Sequence, residues 1–164
     1  MRRISLCLLA VLVFATGCFK NNNTCSYIEN NIVAPASEVT ALENYLFSNG
    51  ITSAVKHPAG FYYEVVNAGT GIKPALCSIV NVAYTGKLTN GNTFDSQTSL
   101  SFQLGALIEG WRKGLPLIQK GGSIKLYIPP SLGYGAVDVK DNQGNVVVPA
   151  NSILVFDINL LEVQ

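Results

Sequence analysis

Side chains that could do covalent or metal chemistry are few in this sequence and poorly placed for it. The one histidine, His57, precedes Pro58 at an expected turn, which leaves a Ser-His-Asp relay without its base and a histidine metal site without its ligands. No Cys-x-x-Cys, Gly-x-Ser-x-Gly or phosphate-loop pattern occurs, and Gly69-Thr70-Gly71 reads as a turn between strands rather than a nucleotide fingerprint. Neither a metal nor a cofactor is expected. What remains is an aromatic set, Tyr84, Phe94, Phe102, Trp111, Tyr134 and Phe156, with Asp95 directly after Phe94. Taken singly, each ring reads as core packing, Asp95 as a turn carboxylate after a short strand, and Tyr134 as a hydroxyl in a glycine-flanked loop. Any chemistry here must work without a nucleophile and without a cofactor.

The elements that would position these residues are mostly strands. From Phe61 onward the chain runs FYYEVV, SIVNVAYTGKL, TFDS, SFQL, SIKLYI and ILVFDINLLEV, punctuated by Gly and Pro and by an Asn90-Gly91 turn, which predicts an antiparallel sheet. One helical interruption near Glu109 to Leu115 places Trp111 and Leu115 on one face. A short helix lying on a curved antiparallel sheet makes an α+β fold. Upstream, Val39, Leu42, Tyr45 and Leu46 recur at helical spacing over about Ser37 to Ser48, with Ser37 as the expected N-cap, Asn49-Gly50 as the left-handed stop and Ile51 packing back.

Four segments then follow one another in fixed order: VAYTGKLTNGNTFDS, LGALIEGWRKGLPLI, KGGSIKLYIPPSLGYGA and VPANSILVFDINLLEV. In these segments, from about Phe61 to Gln164, the sequence resembles the FKBP-type peptidyl-prolyl cis-trans isomerases. The resemblance implies a curved antiparallel sheet wrapped around one short helix, with a pocket between them. It makes Trp111 the floor under a proline ring and Tyr84, Phe94, Leu107, Ile108, Val148 and Phe156 the walls. Asp95 and Tyr134 become the polar catalytic members, and the Ile108 N–H receives a substrate carbonyl. The expected activity is rotation of X-Pro bonds in proline-containing polypeptides, and a pocket-bearing binding module is the competing reading. The chain departs from the family after Asp95, where SQTSLSFQLG lacks a common arginine and has Leu100 where an aromatic is frequent. Its loop VDVKDNQGNVV is longer than in the minimal family domain.

Of the 164 residues, 48% are hydrophobic and only 13% charged, and the formal net charge is +1. Removing Arg2 and Arg3 with a leader leaves about −1, so no basic field exists to hold nucleic acid. MRRISLCLLAVLVFATGC has the order of a signal peptide, two arginines, an apolar run and small residues. Its end, Ala15-Thr16-Gly17-Cys18, resembles the lipobox of bacterial lipoproteins, which implies lipidation of Cys18, export, and anchoring to a membrane. Phe19 after Cys18 points to the outer membrane, facing the periplasm. The expected organisation is a leader over 1–17, a flexible tether over 18–35, a helical extension over 36–60 and the isomerase domain over 61–164, as a monomer. Cys25 and Cys77 are then an even pair in an oxidising compartment, either a disulfide or two separate buried thiols.

Overall fold

Alternating large apolar residues organise the three central strands. In β3 (Ile79–Leu88) Val80, Val82 and Tyr84 are buried, in β5 (Ser123–Ile128) Ile124, Leu126 and Ile128, and in β8 (Leu154–Val163) Leu154, Phe156, Ile158 and Leu160. Side chains two apart share a face, so these rows converge on one side of a sheet. The register does this in detail: Val82 lies opposite Leu160, Tyr84 opposite Ile158, and both Leu126 and Gly86 opposite Phe156.

The computed structural model describes residues 25–164. Its remaining elements are α1 (Ala36–Ser48), β1 (Val55–Lys56), β2 (Tyr62–Asn67), β4 (Thr93–Gln103), α2 (Glu109–Gly114), β6 (Val139–Lys140) and β7 (Val146–Val148). Six strands form one antiparallel sheet in the order β1-β2-β5-β8-β3-β4, and β6 and β7 form a separate hairpin. Among the described residues no helix is long and apolar enough to cross a membrane. The expected leader and lipidation site at Cys18 lie outside the described residues.

Helix α2 packs on the concave face, burying Trp111 and, just beyond its end, Leu115. Two glycines let it close on β5. A Cβ at Gly110 would sit 2.5 Å from Ile128 Cδ1, and one at Gly114 2.8 Å from Leu126 Cδ1. Six residues are too few to hold a helix in water alone, so tertiary packing keeps α2 helical.

Helix α1 covers the opposite face, where Leu42 and Leu46 pack on Tyr127 and Val155. Its start differs from expectation. Pro35 occupies the N-cap and its carbonyl accepts from Glu38 and Val39 N–H, so Ser37 falls inside the first turn and caps nothing. Its end follows the Asn49-Gly50 pattern: Gly50 has φ +66°, Gly50 N–H bonds Phe47 O at 3.1 Å, and Ile51 N–H bonds Leu46 O at 2.9 Å. Glu43 fastens the helix to the sheet by accepting from Tyr62 O–H at 2.7 Å and Lys56 Nζ at 2.9 Å.

TFDS and SFQL, expected as separate strands, are one strand, β4, with a register shift between the Tyr84–Gln97 and Val82–Leu100 pairs. The Asn81 side chain holds the shifted stretch, accepting from Ser99 Oγ and donating to Ser101 Oγ. Residues 25–35 contain no helix or strand, yet the segment lies against the domain rather than away from it. Arg112 donates to Ile28 O at 2.8 Å, Lys113 to Asn30 O at 2.7 Å, and Asn30 Nδ2 to Glu109 at 2.8 Å. Cys25 stands next to Cys77, with Cα atoms 5.7 Å apart, inside bridging range.

Candidate active site

Between α2 and the concave face is a cavity of about 130 Å³ lined by Tyr84, Asp95, Phe102, Leu107, Ile108, Trp111, Tyr134 and Phe156. Each lining residue arrives by a different local rule. Tyr84 and Phe156 come from the inward rows of β3 and β8, and Trp111 from the buried side of α2. Leu107 and Ile108 come from the extended turn that ends β4 and starts α2. Tyr134 follows a tight turn over 130–132 and precedes Gly135, whose φ of +69° suits glycine.

Trp111 is the centre of the arrangement. Tyr84 and Phe156 each stand 5.2 Å from it between ring centroids, at 87° and 88°, and Phe102 at 6.2 Å and 82°. Near-perpendicular packing suits the aromatic quadrupole and leaves a hole bounded by ring edges and faces. Trp111 is 4% exposed, and among the described residues its Nε1 has no hydrogen-bond partner.

The polar groups sit at the rim. Tyr84 O–H donates to Asp95 Oδ2 at 2.5 Å. Burial, and then the bond to Asp95, pushes the Tyr84 phenol well above its ordinary range, and burial followed by the Asp95 charge raises Tyr134. Both phenols therefore stay protonated donors at neutral pH. The Ile108 N–H precedes the first turn of α2 and has no hydrogen-bond partner among the described residues.

Seven of the residues singled out in the sequence thus meet around one cavity, while Phe94 and Val148 do not line it. Phe94 stands behind the wall, 5.5 Å from Phe156 and 6.4 Å from Tyr134, and borders a neighbouring groove with Leu88 and Val146. Val148 is buried in the core. Phe102, named among the aromatics but not as a wall, takes a lining position instead. A wider cleft of about 340 Å³ lies on the other side of α2, under residues 29–33. Its cations, Arg112 and Lys113, are already engaged by Glu109 and by the carbonyls of Ile28 and Asn30. The smaller cavity is the one walled by aromatic rings.

Residues 71–161 match the FKBP-type peptidyl-prolyl cis-trans isomerase family, and the chain belongs to that family. Among curated relatives, the isomerase FkpA of Escherichia coli strain K12 is 45% identical over 109 residues, covering 64% of this chain and 38% of its own. FkpA of Aeromonas hydrophila is 39% identical over 127 residues, covering 74% and 45%. The chain spans less than half the length of these relatives. A crystal structure of a peptidyl-prolyl cis-trans isomerase from Pseudomonas syringae pv. tomato superposes with a TM-score of 0.66 at 28% identity, covering 80% of this chain and 97% of that one.

Proposed function

We propose that this chain accelerates cis-trans rotation of X-Pro bonds in exported polypeptides, and that the cavity over Trp111 is where it does so. The observation that carries the reading is an aromatic hole whose free polar groups, the Ile108 N–H and the Tyr134 phenol, stand at its edge. Prolyl rotation needs no bond to be made, only relief of a barrier of about 18–20 kcal/mol that amide conjugation imposes. A proline ring resting on Trp111 would hold the bond in place, and Ile108 N–H would fix a neighbouring carbonyl. Water exclusion disfavours the planar, more dipolar amide. The tyrosine O–H then bonds the twisted form, and each 1.36 kcal/mol of such selective stabilisation is worth about tenfold in rate.

The rest of the reading concerns where this happens. Lipidation of Cys18 would hold a monomeric domain on the outer membrane, and a Cys25–Cys77 disulfide would fix residues 25–34 to the body. The decisive measurement is the isomerisation rate of a short X-Pro peptide with purified protein. Folded protein that gives no acceleration for any residue before proline would leave a binding module as the better reading. Fractionation of cells carrying Cys18→Ala tests the anchor: as firm a membrane association as wild type would remove it.

A further inference from the structure

The sheet has two edges of opposite design. At one, β1 is two residues long and its Lys56 is ion-paired with Glu43. At the other, β4 is eleven residues long, TFDSQTSLSFQ, with no proline, lysine or arginine, and both of its register shifts lie before Leu100, so Leu100 to Gln103 is a regular, unblunted edge. Proteins commonly blunt strand edges by those means, because the unpaired row of N–H and C=O groups is a template for another strand.

Which groups face outward follows from the ladder. Ile79 spends both its N–H and its C=O on Gln164, at 2.8 and 2.9 Å, so it turns away from β4. Its partner in the register, Gln103, therefore directs its N–H outward while its carbonyl opens the tight turn over 104–106, and Ser101, two residues back opposite Asn81, directs both its main-chain groups outward. These two donors flank Phe102, a wall of the cavity, and lead into Leu107 and Ile108.

We infer that the outer edge of β4 over Leu100 to Gln103 takes an extended, unfolded stretch of client polypeptide as an added antiparallel or parallel strand. The inference rests on the isomerase reading. The edge presents hydroxyl and amide side chains with a single large apolar group, Leu100, so recognition runs through the main chain and tolerates many sequences. Such a strand-mate holds a client beside the cavity and raises the local concentration of its prolyl bonds. A second copy of this chain is a poorer occupant, since one polar strand falls well short of the roughly 1,200 Å² a stable interface buries.

The test separates short from long substrates. Gln103 has φ −78°, a backbone that proline adopts without strain, so Gln103→Pro deletes one outward donor and leaves the ladder to β3 intact. The expected result is unchanged kcat/KM on an X-Pro tetrapeptide with a loss of threefold or more in catalysis of a proline-limited refolding reaction. In wild type, amide exchange at Ser101 and Gln103 should slow at least tenfold when a reduced, carboxymethylated protein is added, and not with the tetrapeptide. Equal losses on both substrates, no loss on either, or no added protection would overturn the inference. Protection already present without client, and rising with protein concentration, would assign the edge to a second copy and overturn it equally. Failure of the isomerase reading looks different: wild type would leave the tetrapeptide unaccelerated while client still protected the β4 amides.

Discussion

On its inner face helix α2 buries Trp111 among Tyr84, Phe102 and Phe156, while on its outer face the same six residues present Glu109, Arg112 and Lys113 to the strap formed by residues 25–35. The inner face is aromatic and apolar, and Asp95 at the rim is the one charged residue lining its cavity. The outer face works by hydrogen bonds from charged groups to carbonyls of a segment with no regular structure. A helix of two turns cannot set its own position, so the comparison teaches a division of labour. Aromatic packing defines the site, and the strap holds the helix that carries it.

The largest effect should follow from emptying the inner face. Trp111→Ala removes a nearly buried indole and should cost about 3–5 kcal/mol of stability, read as a lowered denaturant midpoint, together with most of the kcat/KM on an X-Pro peptide. Activity close to wild type in folded Trp111→Ala protein would break the assignment of the floor.

The outer face is probed next through the proposed pairing of Cys25 with Cys77. Bridging Cys25 and Cys77, 52 residues apart, should contribute up to about 4 kcal/mol by restricting the unfolded chain. Mass analysis of natively exported protein should find no free thiols at these positions. Reduction should lower the melting temperature by several degrees while peptide activity at low temperature stays near that of the oxidised form. Two free thiols, or a melting temperature indifferent to reductant, would detach the strap from this account.

A finer probe touches only the polar rim. Tyr134→Phe and Asp95→Ala should lower kcat/KM by about tenfold, the worth of one selective hydrogen bond, with little change in melting temperature. A matching fall in stability would mean that Asp95, bonded to Tyr84, serves packing rather than the reaction.

How much of this was legible in the sequence divides along the same line. The inner face was readable in two steps: strand-like segments predicted the sheet that carries Tyr84 and Phe156, and the resemblance of the four ordered motifs, not the period, made those rings walls and Trp111 a floor. Along β4 the alternation fails: register shifts at Gly86/Lys87 and at Val82/Tyr84 change which side chains face inward. Phe102 lines the cavity, and Phe94, which the resemblance made a wall, stands behind Phe156. The outer face was not readable, since residues 25–35 have no apolar period and their contacts are made by carbonyls, which leave no mark on side-chain pattern. Even the helix start was misread there, because Pro35 caps with its backbone what Ser37 was expected to cap with its hydroxyl.

The smallest expected effect is a pH dependence confined to the outer side. His57 stacks on Phe61 at 4.3 Å and its Nδ1 accepts from Ala59 N–H at 3.1 Å, in the cleft that also holds Glu29, Glu109, Arg112 and Lys113. Burial, and then the nearby Lys113 charge, holds its imidazole below the ordinary histidine value. The sign follows: below about pH 6.5 the unfolded chain takes up a proton that the folded chain declines, so stability falls as pH drops from 7 and levels off below the folded pKa. It is the only histidine, and the carboxylates held low by their partners, Glu43, Asp141 and Glu162, titrate further down. Denaturant midpoints at pH 7 and pH 5.5 should therefore differ in wild type and converge in His57→Gln, while the pH profile of peptide kcat/KM over the same interval stays flat. A catalytic profile that moved with His57 would show that the two faces of α2 are coupled, and the division of labour between them would have to be given up.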